Sequence, residues 1–262
     1  MSSRLLVVYG RSLANDHIVS ALEARSPGLV KVAESATPWD ILRRTSRRRG
    51  DTLLSKLDKF LFYAFYAAVL ARPVRGALIQ RFGRSPAPTP DFETTEINGD
   101  ATLAFVRRAE PDLILVSGTS ILRGGWHALG APMLNAHTGV MPRYRGRFCW
   151  FWPVVERRHC DVGVSVHVVT RGIDAGEVMV QKRVRLVQGE DCAIPSLLTS
   201  VTSLVVEAFD EAITRIEKGD RPEPDHTDAV EYPIYLEPGL SDYLTFWRRR
   251  RVGPDGAASG VI

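Results

Sequence analysis

Three cysteines in 262 residues, Cys149, Cys160 and Cys192, are too few and too widely spaced for a disulfide framework. No CxxC pair occurs, which argues against a zinc ribbon, and no metal site is expected. A reducing compartment suits so few thiols, so a cytoplasmic protein is the expectation. Residues 1–10 enter a strand pattern at once and lack the basic-then-apolar order of a signal peptide. Only the single Gly10 follows that strand, with no GxGxxG, so a dinucleotide site has little support. The uncharged run 60–71 has twelve residues. As a helix it reaches about 18 Å, against a hydrocarbon core of about 30 Å, so it does not span a bilayer. No internal repeat is visible.

What is present reads as an ordinary globular chain. The hydrophobic content is 45%, and the net charge of +4 comes mostly from arginine. That excess suits an anionic substrate as well as a plain solvated surface. Residues 4–10 are a short apolar run closed by Gly10, the pattern of a buried parallel strand, and residues 12–23 follow as a helix with Ile18, Val19 and Leu22 on one face. Strand, glycine turn and helix open an α/β domain. Residues 30–34 are a second short strand.

The character then changes. A basic block, Arg43-Arg44-Thr45-Ser46-Arg47-Arg48-Arg49, precedes a helix expected over 53–71. Leu57, Phe60, Leu61, Ala64 and Ala68 fall on one side of it, and Phe62, Tyr63, Tyr66, Val69 and Leu70 on the other. A helix apolar all round is packed on the body, paired in a homodimer, or laid on a membrane surface, and these alternatives stay open. The helical insertion is placed at about 39–90 and ends in the proline-rich connection 84–90.

Beyond it a helix is expected from Asn98 to Ala109, a strand at 113–116 ending in Ser117-Gly118, and a short helix or turn over 121–129. A further strand follows at 133–135. Ligands of open parallel sheets bind outside the C-terminal strand ends, so Ser117-Gly118-Thr119 and Asn135-Ala136-His137 should share one binding edge. Residues 149–158 read as helical, 162–169 and 178–186 as strands, and 194–218 as a long amphipathic helix. Residues 1–220 form the expected catalytic domain. Residues 221–262 are a tail packed on it, with disorder expected beyond Arg251.

Asn135, His137 and Asp174 can together move an acyl group onto an amine. A neutral amine attacking an acyl carbon produces an oxyanion and a cationic nitrogen. Asn135 can donate to the oxygen through its amide, and a protonated His137 through a charged N–H. Asp174 can take the amine proton and favour the imidazolium form of His137. Gly172 and Gly176 let its loop approach a ligand closely. Each residue alone is compatible with a structural role. The three together, with Pro142-Arg143-Tyr144-Arg145-Gly146 between them, are far more specific.

These motifs resemble the folate-dependent formyltransferases, a family that includes the glycinamide ribonucleotide, methionyl-tRNA and sugar N-formyltransferases. The family pattern is Asn-x-His, Pro-x-Tyr/Trp-Arg-Gly, His-x-Val on a strand, then Asp-x-Gly. It stands here as Asn135-Ala136-His137, residues 142–146, His167-Val168-Val169 and Asp174-Ala175-Gly176, within a resemblance covering roughly 98–186. The resemblance implies a Rossmann-like, mostly parallel twisted sheet flanked by helices. It also implies N10-formyltetrahydrofolate as formyl donor and Asn135, His137 and Asp174 as the catalytic residues. The folate would sit against Ser117, Gly118, Thr119, Ser120, Ile121, Leu122, Gly172, Ile173 and Gly176. Arg143, Tyr144, Arg145 and Gly146 would face the acceptor, a small amine such as an amino sugar. The tail looks short for the extra C-terminal domain of the tRNA enzyme, so no nucleic acid is expected. A formyltetrahydrofolate hydrolase or a non-catalytic folate binder are the alternatives.

Overall fold

A computed structural model describes residues 4–35, 52–84, 87–220 and 232–253. The basic block 43–49, most of the expected disordered end and the start of the tail lie outside the described residues. Five strands run parallel: β1 (Leu5–Gly10), β2 (Val30–Glu34), β3 (Phe92–Thr94), β4 (Leu113–Ser117) and β5 (Met133–His137). β7 (Gly163–Val168) runs antiparallel to β5, and β8 (Val178–Arg183) antiparallel to β7. The sheet order is β3-β2-β1-β4-β5-β7-β8. The chain leaves β1 for β2 and β3 on one side and returns through β4 on the other. That reversal opens a crevice between the ends of β1 and β4.

Both faces of the sheet are covered, which is why β4 is buried along its whole length. On one face Val7, Tyr9, Leu115 and Leu134 pack under α1 (Leu13–Arg25), α3 (Ala71–Phe82) and α6 (Ile194–Glu217). On the other, Leu6, Val8, Ile114 and Val116 pack under α4 (Asp100–Ala109) and a 3₁₀ turn, Gly124–Ala128, that carries the fully buried Trp126.

The expected helix at 53–71 is longer. α2 (Leu53–Phe65) passes through a π-helical turn, Tyr66–Leu70, directly into α3. Pro73 supplies the reason. It has no N–H to offer the carbonyl four residues back, at Val69, and its ring crowds that position, which disfavours a regular α-helical turn there. The second half of the insertion is therefore part of the core: Val74 and Leu78 are buried, and Phe82 stacks on His17 at 3.8 Å between ring centroids. The two faces of α2 are also unequal. Phe62 is buried, whereas Leu57, Phe60 and Leu61 are exposed.

Three further expectations shift. Residues 149–158 hold only the short α5 (Trp152–Val155), because Phe148 and Arg157 adopt left-handed backbone conformations on either side of it. The helix expected from Asn98 begins two residues later, at Asp100, with Gly99 at its N-cap. The Asn98 side chain instead donates to the carbonyl of Ile121 (3.0 Å) and accepts from the Arg123 N–H (2.7 Å). β3 lies just past the stretch read as an irregular connection. In the tail, β9 (Ile234–Tyr235) pairs with β6 (Arg145–Gly146), and α7 (Leu240–Arg249) packs against α2 and α5.

Candidate active site

Asn135 and His137 lie two residues apart on β5, so their side chains leave the same face of the strand. The antiparallel register sets Asn135 opposite His167 and His137 opposite Ser165. Asn135 Nδ2 is 3.0 Å from His167 Nε2, and His167 Nδ1 is 2.8 Å from the carbonyl of Val168. His167 Nε2 thus faces the Asn135 amide, and its other ring nitrogen is tied to the strand backbone. The loop between β7 and β8 then brings in Asp174. Its Oδ1 lies 3.5 Å from both Asn135 Nδ2 and His167 Nε2, and its Oδ2 lies 3.5 Å from His137 Nδ1. Four polar side chains from β5, β7 and one loop thus meet at a single sheet edge.

The segment 142–146 holds this cluster together. Arg145 donates from Nε (3.0 Å) and Nη2 (2.6 Å) to the carbonyl of Ile173, the residue before Asp174. The Gly146 N–H donates to Asp174 Oδ2 at 2.9 Å. Asp174 itself sits at φ 42°, a left-handed conformation that Asp tolerates better than most residues. Tyr144 is fully buried, its hydroxyl donates to Glu156 (2.9 Å), and its ring stacks on Tyr235. Arg143 Nη2 also faces Glu156, at 3.9 Å. Gly176 also has a packing role. A Cβ there would lie 2.0 Å from the carbonyl oxygen of Val168, so its lack of a side chain lets the loop close on β7.

The charge state differs from the sequence expectation. Burial pulls His137 below the ordinary imidazole range, and this outweighs the nearby Asp174 carboxylate, which raises it. His137 is therefore neutral near pH 7, where an imidazolium was expected. Its Nε2 is 2.8 Å from the carbonyl of Tyr144, so the single proton sits on Nε2 and Nδ1 presents a lone pair toward Asp174. Asp174 is the reverse case. Burial pushes its carboxyl up, but the hydrogen bonds from His167 and from the Gly146 N–H more than offset this and hold it at about 2. A carboxylate and an imidazole lone pair side by side form a place where an incoming proton is shared.

The segment 117–122 is fixed by residues that carried no sequence signal of a site. Asn15 Nδ2 donates to the carbonyls of Gly10 (2.7 Å) and Ser117 (3.4 Å), and its Oδ1 accepts from the Ser117 hydroxyl (3.0 Å). Glu34, buried at the end of β2, accepts from the backbone N–H (2.6 Å) and hydroxyl (2.5 Å) of Ser120. With Ser117 and Ser120 so engaged, Gly118 and Ile121 are the exposed members of the segment, while Leu122 is buried. In the sequence Asn15 is only a residue of the helix expected over 12–23, and Glu34 the last residue of a strand.

Residues 76–204 match the model of the family described as formyl transferase. Over that segment, about half of its length, the chain is similar to the formyl transferase family. The methionyl-tRNA formyltransferase of Anaeromyxobacter dehalogenans is 28% identical over 161 residues, 58% of this chain and 51% of that protein. The chain spans about half the length of the curated relatives it matches. Among solved structures, a sugar N-formyltransferase from Shewanella superposes with a TM-score of 0.55 at 11% identity, covering 94% of this chain and 87% of that one. HypX from Aquifex aeolicus in complex with tetrahydrofolic acid gives a TM-score of 0.51 at 16% identity, covering 90% and 30%. These likenesses show the fold.

The formyl transferase segment contains every member of the Asn135, His137, His167 and Asp174 cluster. The expectation that nucleic acid plays no part is not supported, because the curated relatives are named for methionyl-tRNA. Cys149, also within the segment, is buried, and burial pushes its thiol well above the usual range, which makes it a poor nucleophile. A separate open groove of about 560 Å3, lined by Arg81, Lys182, Arg183, Arg185 and Glu207 among others, contains none of the clustered residues. No helix among the described residues is long and apolar enough to cross a membrane.

Proposed function

We propose that the protein transfers the formyl group of N10-formyltetrahydrofolate to the primary amine of an acceptor. The observation that carries this reading is the convergence of Asn135, His137 and Asp174, far apart in sequence, within 3.5 Å contacts at the end of β5. The match to the formyl transferase model over 76–204 and a structural neighbour holding tetrahydrofolic acid support the choice of donor. The donor supplies an electrophilic formyl carbon and leaves as tetrahydrofolate.

The side chains fit that chemistry. Asn135 has two amide hydrogens. One faces His167, and the other, only 3.5 Å from Asp174, is free to turn toward a ligand oxygen that gains negative charge. The Asp174 carboxylate, ionised throughout the physiological range, takes the proton released by the attacking amine. The His137 lone pair beside it shares that proton and then passes it toward the leaving nitrogen. Residues 117–122, pinned by Asn15 and Glu34, leave backbone groups and the half-exposed Ile121 to meet a flat heterocycle. Loop 172–176 closes the other side. Arg145 acts as a positioning residue for Asp174, and Arg143 is the member of 143–146 with a solvent-reaching guanidinium. Residues 1–220 are read as the catalytic unit and 221–262 as an appended segment.

Two acceptor classes are in view. An amino sugar is supported by a sugar N-formyltransferase that superposes over most of both chains, and an aminoacyl-tRNA by the curated relatives. The test is incubation with N10-formyltetrahydrofolate and a panel of amino-sugar nucleotides, purine precursors, amino acids and methionyl-tRNA. Release of tetrahydrofolate with a mass gain of one formyl group on one acceptor is the expected result. Release of formate without any formylated product makes the protein a hydrolase. Absence of both donor binding and turnover removes the reading.

A further inference from the structure

Among the described residues, the outward face of α2 is an apolar surface with no element packed on it. Leu53, Leu54, Leu57, Phe60 and Leu61 recur at helical spacing on one side, with Leu53 84% and Phe60 58% exposed. Ala64, Ala67 and Ala68 continue the stripe along the same helix. The opposite side is occupied: Phe62 is buried against Phe148 and Phe151, and Phe65 packs on Tyr243 of α7 at 4.8 Å. α7 adds Leu244 and Trp247, each at least half exposed. A monomer rarely leaves so continuous an apolar surface to water.

The charges around this surface are mostly basic, and its acids Asp58 and Asp242 are engaged in caps at the start of α7. From Leu53 to Phe82 the cations are Lys56, Lys59, Arg72, Arg75 and Arg81, and the only acid is Asp58. Asp58 is turned inward, accepting from the backbone N–H (3.1 Å) and hydroxyl (2.6 Å) of Ser241. Lys56, Arg72 and Arg75 are exposed, as is Arg248 beside Trp247. A second copy docked face to face would set cationic rim against cationic rim, which disfavours a homodimer through this face. An apolar stripe bordered by basic residues, with a tryptophan at its edge, matches the chemistry of an interface between acyl chains and anionic headgroups. No helix among the described residues is long and apolar enough to cross a bilayer, so contact would be with the surface.

We propose that α2 and the exposed side of α7 form a docking face for anionic phospholipid membranes. The inference rests on surface chemistry and is independent of the reaction proposed above. The full chain is to be floated with vesicles of phosphatidylcholine alone and of phosphatidylcholine mixed with phosphatidylglycerol. Flotation with the mixed vesicles only, released by high salt, is expected. The pair Leu57→Glu and Phe60→Glu should abolish it. The pair Arg72→Glu and Arg75→Glu should weaken it roughly tenfold or more. Unchanged circular dichroism shows that the variants are folded. If the apolar pair fails to fold, a lipid-induced blue shift of tryptophan fluorescence that disappears in Trp247→Phe carries the same information. Failure of the wild type to float with anionic vesicles overturns the proposal, as does binding unaffected by both pairs. So does a solution dimer that the apolar pair converts to monomer, which would identify a second copy as the occupant.

Discussion

The guanidinium of Arg145 grips the carbonyl oxygen of Ile173 through two nitrogens, at 3.0 and 2.6 Å. The contact spans 28 residues and ends one peptide short of Asp174. A planar fork on one oxygen fixes the direction of the loop as well as its distance. Arg145→Ala should therefore lower kcat about ten- to a hundredfold, because Asp174 loses its aim. Stability should fall by about 1.5–3 kcal/mol for the lost charged hydrogen bonds. Arg145→Lys keeps the charge but not the fork and should recover only part of kcat. A loss confined to KM for the acceptor would instead place Arg145 on the substrate.

Asp174 makes two separable predictions. Asp174→Asn should cut turnover by about 10²–10⁴-fold, the usual range for removing a proton acceptor, with the fold preserved. Its carboxyl, ordinarily near about 3.9, is held at about 2 in the folded chain. Above about pH 4 both folded and unfolded states carry the charge, and the full stabilisation, roughly 2 kcal/mol, is present. It is lost as pH falls from about 4 toward 2, because the unfolded chain takes up the proton first. Urea unfolding of the wild type and Asp174→Asn across that window should show the wild type losing more stability. Parallel curves would remove the depressed carboxyl from the account.

The crevice between β1 and β4 depends on one bare backbone position. A Cβ on Gly10 would lie 2.3 Å from the carbonyl oxygen of Gly118, and neither backbone can yield without moving the strand ends. Gly10→Ala should cost about 1–3 kcal/mol by overpacking. It should also raise KM for the formyl donor more than it lowers kcat, since it displaces residues 117–122 and not Asp174. Equal effects on both constants would show that the segment is not part of the donor site.

These relationships were unequally legible in the sequence. β4 was plain because all of Leu113, Ile114, Leu115 and Val116 are buried, and an unbroken apolar run leaves no other reading. Asn135 and His137 could be placed on one face by their spacing of two. Asp174 could be singled out, but its contact with His137 follows from the antiparallel return of β7, which a parallel pattern does not announce. Glu34 was invisible as a support for Ser120, because that contact exists only once β2 lies beside β1. The neutral state of His137 was missed for a related reason. Pairing with Asp174 favours charge and burial opposes it, and the sequence shows the partner but not the burial. The length of α2 and α3 was missed because the apolar run ends at residue 71, whereas the chain continues through a π turn into α3.

The tail is joined to the site through aromatic packing, which gives a final prediction. Phe246 is buried, and its ring lies nearly parallel to that of Phe151 at 4.6 Å. On the same helix Tyr243 touches Phe62 and Phe65 of α2, and the carbonyl of Arg249 lies 2.8 Å from His159 Nε2. α7 therefore bridges α2 to the segment just before β7. Phe246→Ala should cost about 3–5 kcal/mol, the range for emptying a large aromatic from a core. Hydrogen exchange should report lost protection in α2 and α7 before any in β4 or β5, whose cover comes from other elements. Trp247→Ala, one residue on but half exposed, should change stability by no more than about 0.5 kcal/mol. Equal costs for the two variants would mean that α7 is held by its surface and not by its core contact, and the bridge between the tail and the body would have to be redrawn.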